Sequence, residues 1–194
     1  MNLPVNKPNK LRKFRVVLIL GVLFLGPFIA ASIYFFTIDK EAIGTMNHGT
    51  FIQPPVSIGD LDIATLDGRQ LSNSAMNRKW AIVVNNAVCE ASCLDNIHKI
   101  RQLRLALAQE MTRVVRILTT QTPLDKAQLA TIEQAYPDTI IAVIKSPITP
   151  PVLAQDGIYI IDPRGFIILQ YPLNESSEAI YKDLTHLLKY SHIG

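Results

Sequence analysis

Hydrophobic and polar positions follow different rules along different parts of this chain. From residue 16 to residue 36 no charged side chain interrupts the apolar run. A helix of that length, rising about 1.5 Å per residue, crosses a hydrocarbon core of about 30 Å. Beyond residue 60 the pattern changes to short apolar runs and helical periodicity. Residues 61–66 alternate, Asp67-Gly68 makes a turn, and residues 69–71 continue, which predicts a β-hairpin. Residues 80–84, Trp-Ala-Ile-Val-Val, predict a buried strand that breaks at the turn-formers Asn85-Asn86. From about residue 92 to 110, Leu94, Ile97, Ile100, Leu103, Leu105 and Leu107 recur among Lys and Arg as on a helix.

The rest of the chain repeats these two patterns. Residues 113–119 predict a second core strand, and Thr122-Pro123 opens a helix over 124–135 with Thr122 as its N-cap. Residues 139–144 give a third short strand. A loop over 145–156 is dense in proline, with Pro147, Pro150 and Pro151. Residues 158–161 and 166–171 form an antiparallel hairpin about Asp162-Pro163-Arg164-Gly165. A last helix over 175–190 has Ile180, Leu184, Leu187 and Leu188 as its apolar face.

A β-α-β unit, then α, then β-β-α is the order of a thioredoxin-like domain, built on a parallel sheet with crossover helices. The fold class expected is therefore α/β: a thioredoxin-like domain with an added N-terminal β-hairpin, preceded by one transmembrane helix. The domain organisation expected is a basic cytoplasmic tail (1–15), the transmembrane helix (16–36), a tether (37–55) stiffened by Pro54-Pro55, and the thioredoxin-like domain (56–194).

Composition and charge sharpen this. The 194 residues are 48% hydrophobic, and a mean hydropathy of +0.21 is high for a soluble protein, but the membrane run explains much of the excess. Of the +3 formal charge, Lys7, Lys10, Arg12, Lys13 and Arg15 all precede the apolar run, and no acidic residue stands before Asp39. The positive-inside rule keeps that end in the cytoplasm. The domain then faces the periplasm from the inner (cytoplasmic) membrane if the source is bacterial, or the intermembrane space if it is mitochondrial. A cleaved signal peptide is the rival reading, but the run exceeds a typical signal core and Ala30-Ala31-Ser32 lies inside it. A single-pass anchor is expected. Without those five cations the remainder is slightly acidic, which argues against a nucleic-acid partner.

Cys89 and Cys93 are the only cysteines, four residues apart, where strand gives way to helix. Backbone N–H groups and the helix dipole favour a thiolate there. On a helical turn the pair can form a disulfide, whose short loop adds little stability. The same spacing lets both sulfurs meet one soft ion, and thiolate pairs select Cu(I), with a third ligand such as His completing the site. A reactive pair, a metal-binding pair, an inert disulfide and no role remain open. In the redox reading Cys89 attacks and Cys93 resolves, with both sulfurs presented at an accessible rim of the domain. His48 is expected as a solvated linker residue, His98 as a solvated helix histidine, His186 at packing or surface, and His192 in the tail.

At these residues the chain resembles the Sco/SenC family of copper-binding cytochrome c oxidase assembly proteins. The resemblance rests on Trp80 leading the first core strand, the Cys89-x-x-x-Cys93 spacing, Ile158-Tyr-Ile-Ile-Asp-Pro-Arg-Gly165, the early hairpin and the membrane tether. It implies a tethered thioredoxin-like domain with copper as cofactor and Cys89 and Cys93 as Cu(I) ligands. Its partners would be a cytochrome c oxidase subunit or other assembly factors. Two departures stand out. Leu94 follows the second cysteine where the family usually has Pro, and residues 152–157 hold no His where the family places its third copper ligand. The function expected is assistance to oxidase assembly, by copper handling or by thiol–disulfide maintenance of a copper-receiving partner. The alternative is a non-catalytic, membrane-tethered scaffold for assembly factors. Thiol–disulfide oxidoreductases of this fold commonly carry a cis-proline, for which Pro147, Pro150 and Pro151 are the candidates.

Overall fold

The computed structural model describes residues 10–37, 47–146 and 152–191, apart from the side chains of Arg12 and Ala91. The chain divides into two units, Met1–Met46 and Asn47–Gly194. In the first, helix α1 (Lys10–Thr37) carries apolar side chains on every side, Leu18, Phe24, Phe28 and Phe36 among them, all exposed. Its stretch Lys13–Thr37 has a mean hydropathy of 2.6 and is long and apolar enough to cross a membrane. Ser32 and Thr37 turn their hydroxyls back to the carbonyls of Phe28 and Ile33, which hides them from an apolar surrounding.

The second unit is built on one seven-stranded sheet in the order β1-β7-β6-β3-β4-β5-β2. The strands are β1 (Thr50–Ser57), β2 (Ile63–Thr65), β3 (Trp80–Asn86), β4 (Val114–Thr120), β5 (Thr139–Ile144), β6 (Gly157–Ile161) and β7 (Phe166–Tyr171). β3, β4 and β5 are parallel, and β6, β7, β1 and β2 run antiparallel to their neighbours. Every residue of β3 is buried, as expected of a central strand covered on both faces. On one face Trp80, Ile82, Val84, Leu118 and Ile160 pack with Ile97 and Ile100 of α2 (Ala91–Ala106), Ile132 of α3 (Lys126–Ala135), and Ile180 and Leu184 of α4 (Ser177–Tyr190). On the other, Ala81, Val83, Ile117 and Ile161 meet Ile58, Leu61, Leu71 and Met76 from the segment before β3. The residues added ahead of the thioredoxin-like core thus close its second face.

Several local expectations change. β1 begins within the stretch read as tether and runs two residues past it, because Pro54 and Pro55 hid a strand. Prolines in a strand are tolerated at an edge or a bulge, and β1 is one of the two edge strands, with a register shift between Phe51 and Val56. The early hairpin is reduced to β2 and a single bridge between Ala64 and Gln70. β3 does not break at Asn85-Asn86 but runs through both. α3 is capped by Asp125, not Thr122: Asp125 Oδ1 accepts from Gln128 N at 2.7 Å, and Gln128 Oε1 accepts from Asp125 N at 2.9 Å. That reciprocal pair satisfies two helix-start donors. The Asp162 turn forms as read. Asp162 Oδ1 accepts from the backbone N–H groups of Arg164 and Phe166 at 2.9 and 2.8 Å, and Gly165 takes φ +95°.

Candidate functional site

The site is assembled at the carboxyl end of β3. Asn85 is fully buried yet loses no hydrogen bonding. Its Nδ2 donates to the carbonyls of Leu153 and Gln155 at 2.9 and 2.8 Å, and its Oδ1 accepts from Thr119 Oγ1 at 2.8 Å. These tertiary partners override the turn preference of asparagine and keep the strand extended. They also bind the loop over 152–156 to β3. Tyr159, its hydroxyl pushed up to about 12 by burial and the nearby Asp156 charge, donates to Gln155 O at 2.9 Å and fastens the same loop. Asp156 Oδ1 accepts from Ala87 N at 2.7 Å, and Ala87 O accepts from the N–H groups of Gln121 and Thr122, both at 3.1 Å. The chain that carries the cysteines is therefore held from two sides.

Cys89 and Cys93 are joined in a disulfide across the first turn of α2, with Cα atoms 5.1 Å apart. Glu90 is the N-cap of that helix, its side chain exposed and making no capping bond, and no acidic residue stands in the first turn. The positive end of the helix therefore faces the sulfurs and the exposed Glu90 carboxylate together, and that carboxylate opposes thiolate formation. Gln128 reaches across from α3 and donates its Nε2 to Cys89 O at 2.7 Å. Between α2 and α3 a pocket of about 320 Å³ is lined by Cys89, Glu90, Leu94, Gln128 and Ile132. A larger cleft of about 620 Å³ lies between the Asp67 turn and β5 and holds neither cysteine nor histidine in its lining.

The expectation that both sulfurs stand at an accessible rim needs correction. Cys93 is 0% exposed and Cys89 7% exposed, because both belong to the core packed under α2. Position along the helix decides this: Cys93 lies one turn before Ile97 on the same inward row as Ile97 and Ile100, while Cys89 precedes the helix and borders the pocket. The arrangement is asymmetric, with Cys89 bordering the pocket and Cys93 enclosed.

Nor do the histidines join the sulfurs. His48 keeps an exposed side chain, as expected, but is no free linker residue: its Nδ1 lies 3.0 Å from Asp183 Oδ1. Asp183 Oδ2 accepts from His48 N, Gly49 N and Tyr171 Oη at 2.7, 2.9 and 2.8 Å. Burial alone would push the Asp183 carboxyl up, but the donors of Gly49, His48 and Tyr171 outweigh it and hold it below its ordinary value. His98 is exposed and packs edge-on against Tyr136, and His186 is exposed beside Tyr190. Among the described residues no three of His, Cys, Asp and Glu come together as a metal site. His192, Pro147, Pro150 and Pro151 lie outside the described residues, within which the cis peptide bond is Gln53–Pro54.

The sequence reading found the cysteines but missed Asn85, Gln128, Asp156 and Asp183. Asp125-x-x-Gln128 was a visible capping-box signal. The other three carry no local signal, since their partners lie far away in sequence.

Known proteins resemble this chain in fold. A family model described as "transmembrane-like, thioredoxin-like, C-terminal domain" matches residues 80–191, more than half of the chain. The solution structure of apo Sco1 from Thermus thermophilus aligns with a TM-score of 0.54 at 15% identity, covering 74% of this chain and 99% of that one. Copper-bound ScoI from Arabidopsis thaliana gives 0.52 at 15% identity, with coverage of 74% and 99%. A putative protein disulfide isomerase from Bacteroides thetaiotaomicron gives 0.50 at 18% identity, with coverage of 76% and 97%. At these identities the likeness is one of fold. No curated protein matches the chain by sequence.

Proposed function

The chain belongs to the family of transmembrane-like, thioredoxin-like C-terminal domains, and from that premise we propose that it is a membrane-anchored thiol–disulfide exchange factor serving a copper-receiving partner in cytochrome c oxidase assembly. The observation that carries the proposal is the Cys89–Cys93 bond across the start of α2, with a pocket bordering Cys89 and Cys93 enclosed behind it. The five N-terminal cations support an N-terminus in the cytoplasm and a domain outside the bilayer. The choice of client rests on the Sco-like fold and on the resemblance at the cysteine and Asp-Pro-x-Gly motifs.

The chemistry follows the asymmetry. A donor dithiol attacks Cys89 Sγ, the Cys89–Cys93 bond breaks, and Cys93 leaves as a thiolate at the positive end of α2. The donor's second thiolate displaces Cys89 and departs as a disulfide. Cys89 then attacks a client disulfide and expels one client thiolate. Cys93 closes back on Cys89 and releases the client's second sulfur. Two electrons pass from donor to client, whose paired thiols are then free to take a metal.

Copper handling asks for a third soft ligand beside two thiolates. Among the described residues no His, Asp or Glu clusters with the two cysteines, and His48 is engaged by Asp183. With no imidazole or carboxylate beside the sulfurs among the described residues, no step is routed through bound copper here, and copper enters as the client's cargo.

One observation favours the scaffold reading, namely the near-complete burial of both sulfurs. The reduction potential of the pair in the full-length protein separates the two. Exchange predicts a value above roughly −300 mV, and a structural staple one below it.

A further inference from the structure

At the opposite end of the sheet from the cysteines, a group of buried donors has nothing to bond. Six buried side-chain polar atoms among the described residues lack a hydrogen-bond partner, and four of them are Trp80 Nε1, Arg116 Nε, Arg116 Nη1 and Thr139 Oγ1. Trp80 on β3 stands opposite Val114 and Arg116 on β4 stands opposite Thr139 on β5, so the three residues lie on adjoining strands at one end of one face. All four atoms carry hydrogen to donate. Leaving a buried donor unpaired costs about 1–3 kcal/mol, more for a charged group, so an acceptor is the missing partner.

The charges around Arg116 point the same way. Its side chain is 4% exposed, with Nη2 3.8 Å from Asp138 Oδ2. Arg104 Nη1 lies 3.9 Å from the same oxygen. Both distances are too long for a hydrogen bond. Arg104 is fixed in place, its Nε donating to Val114 O at 2.6 Å and to Met111 O at 3.1 Å. Burial pushes the Arg116 guanidinium down, Arg104 and Arg101 push the same way, and Asp138 only partly opposes them. Two guanidinium groups thus share one carboxylate, with the charge of Arg101 acting on Arg116 as well, and that carboxylate is 72% exposed and free to turn into water.

We infer that Arg104, Arg116 and Thr139 form an oxyanion site for a phosphate group, which displaces Asp138 and is bound by the two guanidinium forks. Guanidinium forks match phosphate geometry, and the ligand restores the charge balance that Asp138 leaves incomplete. Its source is either a phosphomonoester lipid headgroup or free phosphate, which share this chemistry. The site is remote from Cys89 and independent of the exchange reaction.

The test uses the full-length protein in phosphatidylcholine bilayers, with inorganic phosphate titrated against chloride at matched ionic strength and thermal unfolding and phosphorus NMR as readouts. Saturable phosphate binding with a rise in unfolding temperature is expected. Arg104→Gln should weaken it about tenfold, the loss of one charge-assisted contact. Asp138→Asn should tighten it several-fold, because the competing carboxylate is gone, whereas a purely structural Asp138 predicts no gain. Arg116→Met should abolish binding, and the Arg104→Gln and Asp138→Asn variants decide the matter if it fails to fold. In bilayers containing phosphatidic acid, loss of the phosphate effect supports the lipid source, and its persistence supports the free ion. A phosphate response equal to that of chloride, unchanged in Asp138→Asn, overturns the inference and leaves a bound water as the acceptor.

Discussion

Asp183 gives the sharpest stability prediction. Its side chain, 3% exposed on α4, gathers His48 N, His48 Nδ1, Gly49 N and Tyr171 Oη, and so ties the first residues of the unit to its last helix. Asp183→Ala removes every one of these bonds and strands the buried Tyr171 hydroxyl. Hydrogen bonds to a charged group are worth about 1.5–3 kcal/mol each, but such losses do not add in full, and breaking a buried charged cluster costs about 3–5 kcal/mol. We expect that cost for Asp183→Ala, and roughly half of it for Asp183→Asn, which keeps one acceptor oxygen. Tyr171→Phe removes a single donor and should cost about 1 kcal/mol. Denaturant unfolding of the full-length protein in detergent, followed by Trp80 fluorescence, measures all three. The pH dependence has a fixed sign. Because the folded carboxyl sits below its ordinary value, its contribution is complete above the usual Asp range near pH 4 and is lost as pH falls below it. Asp183→Ala should flatten that acid limb. A midpoint change under about 0.5 kcal/mol for Asp183→Ala, the size of an ordinary surface substitution, would refute the reasoning.

Other expectations follow from single contacts. Gly49→Ala places a Cβ 2.5 Å from the Tyr171 ring and should destabilise the unit by about 1–3 kcal/mol, read in the same unfolding assay. Asp125→Ala removes the α3 cap and should cost about 1 kcal/mol, while Thr122→Ala should be near neutral. After reduction under native conditions, alkylation with mass-spectrometric mapping should modify Cys89 well before Cys93, because only Cys89 borders the pocket. Asn85→Ala should free the loop over 152–156, seen as faster hydrogen exchange there and at Ala87.

Much of the fold could be read from periodicity alone. β5, β7 and the final helix fall where an apolar run, apolar alternation and helical spacing put them: β5 is covered on both faces, while β7 and the helix each bury one. Misreadings fell where distant partners decide. Asn85 and Asn86 favour turns locally, but Asn85 is held in a strand by Thr119 and a loop some seventy residues away. β1 was hidden by two prolines that an edge strand tolerates. The cysteines announced the site, yet their unequal burial depends on how α2 packs on the sheet, and the pairing of the exposed His48 was hidden because Asp183 lies 135 residues away.

The exchange proposal stands on Cys89 being the reactive sulfur and Cys93 the resolving one. Trapping tests this directly: full-length Cys93→Ser and Cys89→Ser variants, reduced and then offered a model peptide disulfide, are read by intact mass. The account predicts a stable mixed disulfide on Cys89 in Cys93→Ser and little or none on Cys93 in Cys89→Ser. No adduct in either variant, or an adduct on Cys93 alone, would contradict it.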